Sequence, residues 1–419
     1  MYEIIPVNNL TFVFSPLDNM ETASLGIFLR IGSRFEEKRL KGIAHFLEHM
    51  VFKGTKNYTH RKIKQEIEGR GGLLNAFTSQ ELTAYHANFL KKNFTQTLDI
   101  LLDMVQNPLF RPFDIQKERK VILQEIKMYN DLPSARAGML VESLLWKGHA
   151  LGEDVIGTTQ TVNNVLESDL KAFRNKYYAP SNTVISLSGA FPRREVLDII
   201  KARAKGSKAK VNLASPKPKP LSGVRIAIEK KPYEQAHLYL GFRGVPYMSR
   251  ERMVLRLLNV ILGANMSSRL FEELREKRSL CYDISTEARS YKDSGGFLIH
   301  LGLDASKVEL AIKVILAQLN RLKQKEVPAK ELSRAKDYLL GQIAMALETS
   351  QGRMGYAAQS YINLGEIDSF LALKKKIEAV SASQIRQLVK DLFSFDRVCV
   401  SCVGNIKEGL DSQIRRLIS

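Results

Sequence analysis

A chain of 419 residues exceeds one ordinary hydrophobic core, so two or more domains are expected. Its 44% hydrophobic and 26% charged content is globular, and no apolar run is long enough to cross a bilayer. The net charge of +19 is spread through mixed-sign stretches such as RREVLDIIKARAK with no nucleic-acid-binding signature, so it reads as a generally basic soluble surface.

The N-terminal MYEIIPVNNLTFVFSP lacks the basic and apolar regions of a signal peptide. It reads as a strand, a turn at Asn8-Asn9 and a second strand. With three cysteines in the whole chain, a reducing, cytoplasmic setting is expected. LGIFLRIGS continues as a strand, and KGIAHFLEHMVFKG follows as a helix. That helix holds His45-Phe46-Leu47-Glu48-His49. Residues four apart on a helix lie about 40° from one another around its axis, one turn apart. His45 and His49 can therefore reach one metal ion, and Glu48 beside them can hold the proton of a water. The order His-x-x-Glu-His inverts the commoner zinc-peptidase motif. With seven histidines in the chain, chance coincidence is a weak explanation.

A catalytic zinc usually takes three protein ligands and keeps one open position. The next helix able to supply the third is FDIQKERKVILQEIKMYN. Glu118, Ile122, Glu125 and Tyr129 share one of its faces. One carboxylate there could bind metal while the other orients a histidine. Spacing alone does not separate this from two ordinary surface glutamates. His86, in TAYHANFL, reads as a satisfied strand residue, and His149, in KGHALGED, as a loop residue.

The stretch at 205–223, KGSKAKVNLASPKPKPLSG, is rich in Pro, Lys and Ser and reads as an extended linker. It divides the chain into 1–204 and 224–419. The two parts resemble one another. VLESDLKAFRNKYYAPSNTVISLSGAF and VSASQIRQLVKDLFSFDRVCVSCVGNI are each a helix followed by a strand ending in Gly, and they align without a gap. Leu170 falls with Ile385, Phe173 with Leu388, and Ser186 with Ser401, which suggests duplication. Each part opens with strands, LGIFLRIGS or HLYLGFRGVP, and then a helix. Segregated strands and helices give an α+β class, with two homologous domains each built from a mostly antiparallel sheet packed with helices. Cys399 and Cys402 form a C-x-x-C inside RVCVSCVG, a buried-strand pattern in which they are small core residues.

These motifs resemble the pitrilysin-like zinc peptidases, which include insulin-degrading enzyme and the mitochondrial processing peptidase. That family pairs His-x-x-Glu-His with a glutamate about 75 residues on, and ERKVILQE resembles its ligand helix. The resemblance implies one Zn²⁺ per chain held by His45, His49 and Glu125, with Glu118 behind a histidine and Glu48 as catalytic base. GGLLNAFTSQELTAY resembles the family segment that forms an edge strand beside the metal, so Asn75 and Ala76 would pair with the substrate backbone. Strand addition suits any extended peptide. MSSRLFEELREKRSLCY resembles the family's Arg-plus-Tyr motif, which casts Arg275 and Tyr282 as contacts to the substrate and the oxyanion. Read without the family, Arg275 is a charge on an amphipathic helix and Tyr282 an aromatic at a strand start. The pattern departs from the family at Leu262–Met266 and Ser279–Tyr282, which bears on loop flexibility and fine specificity. The second part has no His-x-x-Glu-His and would be a substrate-binding wall.

The family builds a chamber from four repeats, and this chain has two. The resemblance therefore implies a homodimer, or a heterodimer with a related chain, closing around small or unfolded peptides. No nucleic-acid or membrane-spanning partner is expected. A non-catalytic scaffold of the same fold is the main alternative, and the complete residue set argues against it. A polyanion binder rests on the charge alone. A metal-dependent hydrolase of another bond is disfavoured by the edge-strand segment.

Overall fold

The computed structural model describes residues 2–203 and 211–418. The first residues of the expected linker, 205–210, lie outside that description, and 211–222 run without regular secondary structure.

The chain forms two compact units. Unit 1 holds a six-stranded sheet of β1 (Glu3–Val7), β2 (Leu10–Pro16), β3 (Thr22–Leu29), β4 (Leu73–Thr78), β5 (Thr83–Leu90) and β6 (Thr183–Gly189). Its order is β1-β2-β6-β3-β5-β4, so β4 is an edge. Unit 2 holds a five-stranded sheet of β7 (Arg225–Lys230), β8 (Ala236–Gly244), β9 (Cys281–Ser290), β10 (Gly295–Leu303) and β11 (Cys399–Gly404), in the order β7-β11-β8-β10-β9. Each sheet has one parallel pair, β2 with β6 and β7 with β11, and is otherwise antiparallel. Without β1, the first sheet has the connectivity of the second, strand for strand. The duplication expected from two similar helix–strand segments is therefore present in the topology, and the class is α+β.

Four helices carry the rest of the argument: α1 (Ile43–Val51), α2 (Pro112–Asp131), α3 (Pro133–Leu145) and α4 (Ser350–Leu364). The large core of unit 1 lies on the α1 side of its sheet. It gathers Phe12, Phe14, Leu25 and Ile27 from strands with Phe46, Leu47 and Met50 from α1. The opposite sheet face carries Val13, Phe28, Ala84 and Val184, and α4 covers it with Met354, Ala357 and Ala358. In unit 2, α3 and the turn after it cover one sheet face with Val141, Leu145 and Trp146, beside Leu298 and Cys399.

The units consequently differ from a simple division at 205–223. Unit 1 comprises 1–126, 154–215 and 344–369, and unit 2 comprises 127–153, 216–343 and 370–419. The covering helix of each sheet comes from the other part of the chain. The aligned serines mark the exchange. Ser186 Oγ donates to the Met354 carbonyl at 2.9 Å. Ser401 Oγ donates to the Ala137 carbonyl at 2.7 Å. Each is a buried hydroxyl tied to the backbone of the helix above it, which satisfies the polar group without leaving the apolar face.

Cys281, Cys399 and Cys402 are free and buried. Burial pushes the Cys399 and Cys402 thiols up to about 12, so both are inert core groups at neutral pH. Among the described residues no helix is long and apolar enough to cross a membrane.

Gly42 precedes α1 with φ +92°, and a Cβ there would meet the Ile156 carbonyl oxygen at 2.4 Å. Both the backbone and the space require glycine. Gly42→Ala should lower stability by at least about 1–3 kcal/mol. A urea titration reads this as a lower midpoint with an unchanged slope; an unchanged midpoint would contradict the strain.

Candidate metal centre

Helix α1 presents two faces. Ile43, Phe46, Leu47 and Met50 are fully buried, while His45 and His49 are only partly so. The helix start is fixed by Glu36, whose carboxylate accepts from Gly42 N at 2.9 Å and Ala44 N at 2.8 Å. These are N–H groups that a helix cannot satisfy internally, and a negative charge there also suits the helix dipole.

From α1 the two imidazoles stand side by side, ring centroids 4.7 Å apart. Glu125 comes to them from α2. Its Oε2 lies 3.8 Å from His45 Nε2 and 3.7 Å from His49 Nε2. Among the described residues these three form the one group of His, Cys, Asp or Glu side chains placed to hold a metal, with ligand atoms all within 4.8 Å of one another. A tetrahedral zinc with bonds of about 2.0–2.1 Å spaces its ligands about 3.4 Å apart, so a small contraction closes this set. The donor set of two imidazoles and one carboxylate suits zinc. Burial, then the neighbouring His49, lowers His45 to about 3, so it is neutral with a free lone pair at any pH near neutrality. Burial raises Glu125, and its electrostatic interaction with His49 acts against that.

Glu118, one helical stretch before Glu125 on the same face, binds the back of the site. Its Oε2 is 3.2 Å from His49 Nδ1, and its Oε1 is 2.6 Å from Lys53 Nζ. It is only 4% exposed. Burial alone would raise this carboxyl, but hydrogen bonds from His49 and Lys53 and the Lys53 charge hold it below the usual range. An ionised Glu118 sets His49 with its proton on Nδ1 and its lone pair on Nε2, toward Glu125.

Glu48 lies on α1 between the histidines. Burial raises its carboxyl, a Thr78 hydrogen bond and His49 act downward, and Glu125 acts upward. A desolvated carboxylate with a raised pKa is a better proton acceptor than an exposed one. Thr78 Oγ1 donates to Glu48 Oε2 at 2.5 Å.

Asn75 and Ala76 sit mid-strand on β4, which pairs on one side only, with β5. The Ala76 N–H donates to the Asn75 side-chain oxygen at 2.8 Å, an acceptor that a peptide carbonyl can replace. His86 faces Asn75 across the β4–β5 pair. Its Nδ1 is buried without a hydrogen-bond partner among the described residues, so it is less satisfied than a strand histidine should be, and it is outside the metal group. His149 is a loop anchor, accepting from Leu151 N and bonding the Pro216 carbonyl.

Arg275 and Tyr282 belong to unit 2. Arg275 lies in a π-helical turn, Phe271–Glu276, where an amphipathic α-helix was expected, and its guanidinium stacks 4.9 Å over the Phe271 ring. Tyr282 is the second residue of the edge strand β9 and is 70% exposed. Sequence reasoning passed over Thr78 and Lys53. Thr78 stood within the edge-strand segment and Lys53 four residues past His49, but neither spacing signals a partner on another element.

A family model described as "Insulinase (Peptidase family M16)" matches residues 12–159, and one described as "Peptidase M16 inactive domain" matches residues 166–339. The chain belongs to the M16 peptidase family. An uncharacterized zinc protease of Bacillus subtilis, YmxG, is 32% identical over 93% of this chain and 95% of its own length. One of Streptomyces coelicolor is 31% identical over 97% and 90%. In structure, a protease from Helicobacter pylori superposes with a TM-score of 0.91 at 22% identity, covering 96% of this chain and 99% of that one. An M16 inactive domain from Pseudomonas fluorescens superposes with a TM-score of 0.88 at 19% identity, covering 97% and 98%. All of His45, Glu48, His49, Glu118 and Glu125 fall within the first M16 match.

Glu118→Gln should weaken zinc binding roughly 10- to 100-fold, because the amide no longer supplies a charge to the imidazole N–H. Competition with a chelating dye measures it, and wild-type affinity would show that Glu118 does not orient His49.

Proposed function

We propose that this chain is a zinc-dependent endopeptidase that cuts small or unfolded peptides laid as an added strand along β4. The observation that carries this reading is the convergence of His45, His49 and Glu125 around one point, with the desolvated Glu48 carboxylate on the same helix. The names of the relatives, zinc proteases, agree with it.

His45, His49 and Glu125 would hold the ion. When bound, zinc supplies the Lewis acidity that lowers the pKa of a water and polarises a carbonyl. The chain's own groups do the rest. The backbone of Asn75 and Ala76 hydrogen-bonds the extended peptide and fixes its register, leaving side chains to set preference. Glu48 accepts a proton from the attacking water and delivers it to the departing amine nitrogen. Glu118, held ionised by Lys53, keeps His49 in one tautomer. The Tyr282 phenol is assigned to the developing oxyanion and the Arg275 guanidinium to a substrate carbonyl or carboxylate, both by likeness to the family pattern.

A non-catalytic scaffold would have no use for a complete ligand set with a base beside it. The match named as an inactive domain, 166–339, covers residues outside the metal group, so the name agrees with a metal-free second repeat.

Glu48→Gln should keep its zinc and lose cleavage of a quenched peptide by roughly 100-fold or more. An equally fast Glu48→Gln enzyme would reject the mechanism. Two copies of the chain are taken to close around the substrate. Light scattering should then give twice the 47.4 kDa chain mass for the active species; an active monomer would remove the dimer from the proposal.

A further inference from the structure

The general base is held from the strand that would receive the peptide. Thr78 is the last residue of β4. Successive side chains of a strand alternate between faces, so Thr78 shares a face with Leu74 and Ala76, which pack against the core on the α1 side. From there its hydroxyl reaches Glu48 Oε2. Among the described residues it is the one hydrogen-bond partner of that carboxylate. Tyr85, buried, and Tyr178, partly buried, lie nearby, but their hydroxyls bond each other, at 2.9 Å.

A glutamate side chain has three rotatable bonds, and a base works only when its oxygen sits within hydrogen-bond reach of the proton it takes. We infer that Thr78 is a positioning residue for Glu48. Its hydroxyl fixes Oε2, which leaves Oε1 as the oxygen that receives the proton. The inference rests on the peptidase reading above.

A plain structural role is the competing account, in which the threonine merely satisfies its own hydroxyl. Thr78→Val keeps the β-branched shape and removes the donor, while Thr78→Ser keeps the donor and removes the methyl. With a quenched peptide, Thr78→Val should lose kcat roughly 10- to 100-fold, the range expected for a hydrogen bond to a charged group. KM should stay within about twofold, because ground-state binding is untouched. Zinc content should remain one per chain, and Thr78→Ser should recover most of the rate. A crystal structure of metal-free Thr78→Val should show the Glu48 carboxylate displaced. Wild-type kcat in Thr78→Val, or a Thr78→Ser enzyme as slow as Thr78→Val, overturns the inference. Glu48→Gln in the same assay separates the two readings. If Glu48→Gln is silent and Thr78→Val is fast, Thr78 alone loses its role. If Glu48→Gln is fast, the peptidase mechanism itself falls.

Discussion

The whole site depends on the beginning of one short helix. The first N–H groups of α1 have no partner within the helix, and a buried carboxylate, Glu36, takes that of Ala44 together with that of Gly42 just before it. Gly42 supplies the left-handed backbone that lets the chain turn under the Ile156 carbonyl into that cap. With its start pinned and Phe46, Leu47 and Met50 locked in the core, α1 has no freedom to rotate. The direction in which His45 and His49 leave the helix is then decided by helix geometry. Everything else arrives at a fixed target: Glu125 and Glu118 from α2, and Thr78 from the sheet edge.

The carboxylates around this target are alike in type and different in surroundings. Glu118 has a lysine and an imidazole N–H and is held charged. Glu48 is desolvated with a single hydroxyl donor and is raised. Glu125 is half-buried between these cases and faces both Nε2 atoms. Environment therefore separates three copies of one residue into a carboxylate held charged, a desolvated one raised, and one facing both imidazoles, the differences on which the proposed roles rest.

Local signals in the sequence reached a long way. The four-residue spacing of His45 and His49 is a statement about helices, and it held because α1 is a helix. The shared face of Glu118 and Glu125 was visible as period, although spacing alone could not tell the two glutamates apart and only the resemblance assigned them different places. The repeat was visible because Ser186 and Ser401 stand at matching points of matching segments. What the sequence hid is non-local. No spacing in the sequence says which sheet Met354, Ala357 and Ala358 cover. The exchange of α3 and α4 followed from no spacing, nor did the meeting of Thr78 with Glu48 or Lys53 with Glu118. The π-helical turn at Phe271–Glu276 was equally invisible, since six residues are too few to separate its period from that of an α-helix.

The exchanged helices also give the chain an order of assembly. A ribosome releases residues from the N-terminus at about 5–20 per second. The helix that covers the unit 2 sheet, Pro133–Leu145, emerges before the first strand of that sheet. The unit 1 sheet is in the opposite position. Its last strand ends at Gly189, yet its cover is Ser350–Leu364. For something on the order of ten seconds of synthesis, Val13, Phe28 and Val184 form an apolar face with nothing on it. Unit 1, whose strands are the first to be made, waits longest for its covering helix.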